Sequence, residues 1–309
     1  MKFGLQHPNF TFDGKDTEIV EKLRTLAQKA ESLDFDSFWV MDHFHQIPLV
    51  GQPQEPMLEG WTTQAVVAGL TKKIRLGTLV TGIVYRHPSV LAKIGATFDV
   101  LSNGRLFMGI GAAWNAEEAR AYGIPFPPVG ERMRRLEESV QIINKMWTEE
   151  RASFNGKFYQ LADAYCNPKP IQKPRPPIMI GGSGERRTLK IVAKYADACN
   201  IYGSVDSVTR RLEVLREHCH SVGRDYNSIL KTKLAHVVID KNKEKVIEAI
   251  NRLPKDRVPE YAIYGAPEEV RKKVEAFRDA GIEYLIVNLE PDSELKTLEL
   301  FASEVMKKL

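Results

Sequence analysis

The 309-residue chain is poor in the residues from which disulfide and zinc scaffolds are built, since it contains 3 cysteines and 7 histidines. Cys166, Cys199 and Cys219 are odd in number, and none of them belongs to a Cys-x-x-Cys pair. This pattern argues against a disulfide framework and against a cysteine zinc site. We expect all three to be small, buried or half-buried apolar side chains.

Long hydrophobic runs and an excess of one charge are missing as well. No window approaches the roughly 18 apolar residues of a membrane span. The 44 basic and 40 acidic residues leave a net charge of +4, and the two signs are interleaved along the chain. Neither a membrane nor a nucleic acid is therefore expected as a partner. Because the first residues lead straight into a strand pattern, without a targeting segment, we expect a cytoplasmic protein.

Short apolar segments that alternate with amphipathic helical patterns run through the whole chain. This alternation is typical of parallel strands joined by helical crossovers. Eight such units predict an α/β fold, a (β/α)8 TIM barrel formed by residues 1–309 as a single domain. The predicted strands are residues 2–6, 37–41, 74–81, 106–110, 178–181, 198–202, 232–239 and 284–288.

Helical patterns with recognisable ends separate these strands. Pro88 and Pro267 stand where a first helical turn accepts proline, and Gly223 and Gly281 stand where helices end. The predicted helices are residues 16–33, 88–101, 131–147, 184–195, 207–222, 267–280 and 293–307.

Two segments interrupt the alternation, and we interpret them as insertions after strands 4 and 7 of the barrel. In residues 152–161 the pair Asn155-Gly156 predicts a hairpin turn. Residues 252–264 contain two prolines and lack a regular pattern. The proline-rich segment 168–177 leaves a second interpretation open, in which it links two domains.

The loops after the strands build the active site of such a barrel, so residues just beyond each strand are the candidates. Asp42 and His43 follow the second strand. A carboxylate beside an imidazole can orient a substrate hydroxyl and accept its proton, although the pair could also be a hydrogen-bonded surface pair without a catalytic role. His43 and His45 have a spacing found in metal sites, but further ligands are sparse at the strand ends, and no metal is predicted.

Two more segments follow predicted strands. Residues 181–184 are rich in glycine and open a predicted helix, where free backbone amides suit a phosphate. The alternative is a turn whose glycines only allow close packing. The spacing does not match the glycine motifs that bind dinucleotides or nucleoside triphosphates. Trp114 and Asn115 follow the fourth strand, where the indole would form a pocket wall and the amide could hydrogen-bond a heterocycle.

Taken together, these segments resemble the luciferase-like monooxygenase superfamily, and most of all its branch that uses the 5-deazaflavin coenzyme F420. The resemblance extends in order over nearly the whole chain. Its pieces are residues 39–44, 77–88, 92–105, 109–115, 121–126, 131–138 and 177–200.

The resemblance implies a (β/α)8 barrel with the deazaflavin at its mouth. It implies that His43, oriented by Asp42, is the catalytic residue, and that residues 181–184 hold the phosphate of the cofactor. It also implies a cis peptide between non-proline residues behind the ring, which we expect at Gly82-Ile83, and a homodimer. The residues that the resemblance assigns to cofactor binding are Asp42, Thr81, Gly82, Ile83, Asn115, Gly181, Gly182, Ser183 and Gly184.

The implied function is hydride transfer between a small organic substrate and carbon 5 of the deazaflavin. Sugar-phosphate dehydrogenases and some alcohol dehydrogenases of this branch use a glutamate just after strand four as a proton donor. This chain has Trp114 there, so the substrates of those enzymes are not expected. One alternative keeps the fold but uses reduced FMN and oxygen, as a two-component monooxygenase does. A cofactor-binding protein without turnover is a third possibility, which the presence of His43 disfavours.

Overall fold

The computed structural model describes residues 1–12, 15–253, 262–289 and 295–309. A ten-stranded sheet dominates it, and a separate two-stranded sheet lies outside this main sheet. The strands are β1 (Lys2–His7), β2 (Ser37–Val40), β3 (Arg75–Thr78), β4 (Thr81–Gly82), β5 (Met108–Gly111), β6 (Arg151–Asn155), β7 (Gln160–Tyr165), β8 (Ile178–Gly181), β9 (Ala198–Asn200), β10 (Leu230–Ile239), β11 (Ala262–Gly265) and β12 (Tyr284–Leu289).

The main sheet is parallel and closes into a barrel. Its order is β3-β2-β1-β12-β10-β9-β8-β5-β4, with β11 paired outside this path to β10. The barrel closes because β3 pairs with the residues that lead into β5: the amide of Leu76 donates to the carbonyl of Arg105 at 2.9 Å, and the amide of Phe107 donates to the carbonyl of Leu76 at 2.8 Å. Since β3 and β4 are two halves of one predicted strand, the path has the eight positions of a (β/α)8 barrel. The predicted fold is confirmed.

Helices connect the strands on the outside of the barrel. They are α1 (Ile19–Ser32), α2 (Gly60–Leu70), α3 (Pro88–Leu101), α4 (Ala116–Ala121), α5 (Val129–Thr148), α6 (Thr188–Tyr195), α7 (Val205–Ser221), α8 (Lys243–Arg252), α9 (Pro267–Asp279) and α10 (Lys296–Glu304). The helices α2, α4 and α8 were not predicted. The prediction of a helix from residue 184 is wrong at its start, because residues 185–187 form a turn and α6 begins at Thr188.

Both predicted insertions fall where the alternation is interrupted. The first contains the expected hairpin, in which β6 and β7 pair antiparallel around Asn155 and Gln160. In the second, β11 pairs parallel with the end of β10. Residues 254–261 of that insertion lie outside the described part of the chain.

Large side chains fill the interior of the barrel near its N-terminal end. This inner cluster consists of Trp39, Leu79, Phe107, Met179, Ala198, Tyr284 and Ile286. The Trp39 indole donates to Ser37 Oγ, which in turn is hydrogen-bonded to the hydroxyl of Tyr284. Because every polar atom of this trio has a partner, it can be buried without a large desolvation cost.

A bulge divides the third strand between β3 and β4. It contains the cis peptide Leu79-Val80, so the prediction of a cis bond at Gly82-Ile83 is wrong by three residues. The Val80 side chain lies where glycines leave room: a Cβ at Gly111 or Gly181 would come within 2.8 or 2.9 Å of Val80. The bulge therefore places one isopropyl group across the barrel interior, above the inner cluster.

Within the described residues, the three cysteines are free and buried, as predicted. No helix among them is both long and apolar enough to cross a membrane.

Candidate active site

The residues that the sequence singles out lie on one rim of the barrel. Asp42 follows β2, Gly82 ends β4, Asn115 follows β5 and Gly182 follows β8. Because these strands are parallel, their C-terminal ends all meet at the same end of the barrel. This is the end at which (β/α)8 barrels build their active sites.

His43 has a buried carboxylate as its partner on this rim. Its Nδ1 lies 2.8 Å from Oε2 of Glu118, and its ring packs edge-to-face on Trp114 with 5.6 Å between the ring centroids. The His43 side chain is 14% exposed, whereas that of Glu118 is 0% exposed. The imidazole is therefore held from behind and reaches solvent over a small part of its surface.

Glu118 is bound on both of its oxygens. Oε1 accepts from the backbone amides of Phe44 at 2.5 Å and His45 at 3.4 Å. Oε2 accepts from the Tyr85 hydroxyl at 2.6 Å in addition to its contact with His43. Burial by itself would raise the pKa of Glu118, but the hydrogen bond and charge of His43, with the donors Tyr85 and Phe44, lower it to about 2. The carboxylate is thus ionised at neutral pH.

The short helix α4 positions Glu118. Asn115 caps this helix, and its side-chain Oδ1 accepts from the amide of Glu118 at 3.3 Å. The Asn115-x-x-Glu118 spacing places the glutamate in the first turn, where an acidic residue is favourable. Asn115 itself is 7% exposed, and its amide nitrogen makes no hydrogen bond to another described residue.

Asp42 does not contact His43, so the prediction that Asp42 orients the histidine is wrong. Its two carboxylate oxygens accept from the guanidinium of Arg86 at 2.7 and 2.9 Å, and Arg86 also binds Glu59. Burial raises the pKa of Asp42, an effect that Arg86 opposes. Through Arg86, Asp42 connects its own loop, between β2 and α2, to the loop after β4. Contact of Asp42 with a cofactor stays a prediction.

The three residues predicted at the third strand present little side chain to the rim. Thr81 is fully buried and its hydroxyl accepts from the indole of Trp61 at 3.0 Å. Ile83 is 2% exposed and belongs to the main core. Gly82 lies against Tyr85 and Ala113, which a Cβ would approach to 2.8 and 3.2 Å. A ligand could meet this segment only through its backbone.

The glycine-rich loop after β8 offers backbone amides at the rim. Gly182 has a φ of +126°, and its amide donates to Asn200 at 3.1 Å. The Ser183 hydroxyl accepts from the amide of Tyr202 at 2.8 Å and so joins this loop to the next one. The amides of Ser183 and Gly184 donate to no other described residue. They can receive an anion, although the end of a helix does not reinforce them because α6 starts later.

Asn200 is a rim residue that sequence reasoning did not select. It ends β9, is fully buried, and its side-chain nitrogen donates to Thr232 at 2.8 Å. Its Oδ1 is buried without a hydrogen-bond partner among the described residues. A buried acceptor of this kind is costly unless a ligand or a water satisfies it.

A cluster of aromatic side chains lies near His43. The ring of Phe44 lies 4.8 Å from Tyr85 and 4.8 Å from Tyr122. Tyr122 and Trp114 are 55% and 57% exposed, which is unusual for such large rings. Of these rings, Trp114 packs directly on His43, and its role as the wall of a ligand pocket stays a prediction.

Three further features bear on where the site lies: the other histidines, possible metal ligands and the opposite end of the barrel. His7 and His236 are half-buried with their Nε2 atoms enclosed, and desolvation lowers the pKa of each to about 4. The described residues contain no group of three side chains that could hold a metal. A groove of about 570 Å³, lined by Tyr226 and Lys231 among others, lies at the N-terminal ends of the strands, opposite the rim.

Comparisons with known proteins agree with this geometry. The family model described as luciferase-like monooxygenase matches residues 1–253. The F420-dependent glucose-6-phosphate dehydrogenase of Amycolatopsis mediterranei is 27% identical over 318 residues, which cover 92% of each chain. A solved F420-dependent secondary alcohol dehydrogenase, in complex with an F420-acetone adduct, has a TM-score of 0.85 at 21% identity and covers 99% of this chain and 98% of that one. Monooxygenase RslO1 from Streptomyces bottropensis has a TM-score of 0.81 at 22% identity, covering 100% and 99%.

The parallel barrel with its polar rim has the architecture of a (β/α)8-barrel enzyme, and the relatives place the chain among the oxidoreductases. The chain belongs to the luciferase-like monooxygenase family, since that family model covers residues 1–253 of 309. This confirms the resemblance drawn from the sequence.

Proposed function

We propose that this protein is an F420-dependent oxidoreductase that transfers a hydride between a small organic substrate and carbon 5 of the deazaflavin. The observation that carries the proposal is the His43–Glu118 pair at the barrel rim, 2.8 Å apart and walled by aromatic rings. The names of the glucose-6-phosphate dehydrogenase relative and of the secondary alcohol dehydrogenase support the choice of cofactor.

The rim residues fit a planar heterocycle with an anionic tail. The amides of Ser183 and Gly184 are available to a phosphate, and the positive φ of Gly182 turns the loop between them and β8. The buried Oδ1 of Asn200 is an acceptor that needs a donor, and the side-chain nitrogen of Asn115 is a donor on the loop after β5. A deazaflavin ring, which carries both donors and acceptors on its edge, would satisfy both.

This chain would contribute proton transfer and exclusion of water. The cofactor supplies a hydride carrier at its carbon 5 when it is bound. His43 would take the hydroxyl proton from a substrate that is oxidised, or return it to a carbonyl that is reduced. The ring of Trp114 lies against His43, and Phe44 packs on Tyr85 behind it, so the substrate would lie in an apolar space where a neutral alcohol or carbonyl is preferred to a charged molecule.

A second candidate keeps the site but uses reduced FMN and oxygen. Its support is the likeness to monooxygenase RslO1, a structure with 22% identity. The acceptor and donor groups of Asn200 and Asn115 would serve a flavin ring equally well, which is why the cofactor has to be tested directly.

Titration of the purified protein with F420 and with FMN, followed by quenching of the fluorescence of each ligand, separates the two candidates. We expect F420 to bind at least ~100-fold more tightly, which corresponds to about 2.7 kcal/mol. Tight binding of FMN with no measurable binding of F420 would reverse the assignment. Binding of F420 without turnover of any alcohol or carbonyl would favour a cofactor-binding protein.

The homodimer and the cytoplasmic location stay predictions. Light scattering on the purified chain, whose monomer has a mass of 35.0 kDa, tests the first of them.

A further inference from the structure

The surroundings of Glu118 restrict where protons can sit. Its Oε1 faces two backbone amides, those of Phe44 and His45, which can only donate. Its Oε2 faces the Tyr85 hydroxyl at 2.6 Å and Nδ1 of His43 at 2.8 Å. The charged pair Asp42–Arg86 lies next to this group but is satisfied by its own bidentate contact. All four neighbours of Glu118 can therefore act as donors to one ionised carboxylate.

An ionised carboxylate can only accept, so the hydrogen in the His43–Glu118 contact has to come from Nδ1. The two backbone amides and the Tyr85 hydroxyl that face the carboxylate favour its ionised form, so the shared proton stays on the imidazole. Tyr85 cannot take over the role of anion, since burial and then Glu118 raise the pKa of its hydroxyl. One arrangement of protons satisfies every buried polar atom of the group.

We propose that Glu118 is a positioning residue that holds neutral His43 in the tautomer with hydrogen on Nδ1, and thereby makes Nε2 the nitrogen that exchanges a proton with the substrate. The second half of this statement rests on the proposed function. In the oxidising direction, the substrate hydroxyl gives its proton to Nε2. The hydride of the same carbon would leave to the oxidised F420 of the proposed function, so that a carbonyl would form. In the reducing direction, Nε2 of the protonated ring returns the proton to the carbonyl oxygen.

The variant Glu118→Gln gives a specific test, because the backbone dictates how a glutamine would sit. The amides of Phe44 and His45 require an acceptor at the Oε1 position, so the amide oxygen of the glutamine would stay there. Its NH2 group would then face His43 and donate to Nδ1. Neutral His43 would be forced into the opposite tautomer, with hydrogen on Nε2, and could no longer accept a proton from the substrate.

The first measurement needs no cofactor. Protein labelled with 15N-histidine is examined by long-range 1H–15N correlation spectra above the titration range of histidine, and the His43 signals are assigned by their loss in His43→Gln. In the wild type we expect the His43 signals of a ring with hydrogen on Nδ1 and none on Nε2. In Glu118→Gln we expect hydrogen on Nε2 and none on Nδ1. A wild-type His43 with hydrogen on Nε2, or an unchanged tautomer in Glu118→Gln, overturns the proposal. The wild-type spectrum decides by itself if the variant does not fold.

The second measurement is oxidation of 2-propanol with F420. We expect Glu118→Gln to lower kcat by ~100-fold or more, in the range of general acid–base effects, while Kd for F420 changes by less than about threefold. The matched control is Glu117→Gln, the same change at the exposed neighbouring residue of α4, which should leave the tautomer, kcat and Kd unchanged. Equal losses of kcat and of F420 affinity in Glu118→Gln would contradict the positioning role. Absence of F420 binding to the wild type would remove the proposed function, while the spectra would still decide the tautomer.

Discussion

The two halves of the barrel rim are built in different ways. The side-chain half, formed by the loops after β2, β4 and β5, is a network of charged and aromatic groups: Asp42 with Arg86, and His43 with Glu118 and Tyr85. The backbone half, formed by the loops after β8 and β9, presents residues 181–184 and Asn200, and its available groups are main-chain amides and the buried side-chain Oδ1 of Asn200. We infer that His43 in the side-chain half moves the proton, whereas the backbone half, together with Asn115, would hold the cofactor.

Of the substitutions considered, replacing His43 should produce the largest loss of kcat. We expect His43→Ala to lower kcat for 2-propanol oxidation by ~10²–10⁴-fold, because proton transfer is lost, and to change Kd for F420 by less than about threefold. Steady-state kinetics and fluorescence titration measure the two quantities. An equal loss of kcat and of F420 affinity would mean that His43 binds the cofactor as well. The two halves of the rim would then not differ in the way inferred here.

Replacing Arg86 should destabilise the side-chain half. In Arg86→Met the fully buried Asp42 would lose its bidentate partner, and breaking a buried ion pair costs about 3–5 kcal/mol. The free energy of unfolding, from urea denaturation, measures the effect. The matched control is Arg210→Met, because Arg210 is 72% exposed in its contact with Glu185 and such surface pairs contribute about 0–1 kcal/mol. Similar values for both variants would show that Asp42 does not depend on Arg86.

Replacing Gly182 should test the role of the backbone half of the rim. Its φ of +126° disfavours a side chain, and a Cβ would come within 3.3 Å of Thr188, so Gly182→Ala should tilt the loop that carries the Ser183 and Gly184 amides. We expect Kd for F420 to rise ~10-fold while kcat at saturation is retained. Gly223→Ala is the control, since Gly223 also has a positive φ, of +68°, but no atom within 4 Å of its Cβ position. A fall in kcat without a change in Kd would contradict the assignment of this half.

The barrel could be predicted from the sequence because each strand is a short apolar segment followed by a helical pattern. Helix α3 was predicted with its true ends because Pro88 marks its first turn. Helix α2 was missed because its sequence is apolar on nearly every side, with Val66 exposed, and lacks the periodicity that reveals a helix.

The site was predicted in its location but not in its pairings. Adjacent residues such as Asp42 and His43 suggest a pair, yet neighbours in an extended segment point in opposite directions, and Asp42 turns to Arg86 instead. The true partner, Glu118, lies 75 positions further along the chain. The only local signal was the Asn115-x-x-Glu118 spacing, which indicates the start of a helix and says nothing about a histidine. Contacts that depend on how distant loops meet cannot be derived from spacing alone.

The bulge at Val80 has a consequence for how this barrel can vary. One isopropyl group occupies the volume that Gly111 and Gly181 leave empty on two other strands. Either glycine could gain a methyl group only if position 80 became smaller in the same step. These three positions, separated by as many as 101 residues, are therefore expected to vary together, and a library that randomises them jointly should recover functional barrels that single substitutions do not reach.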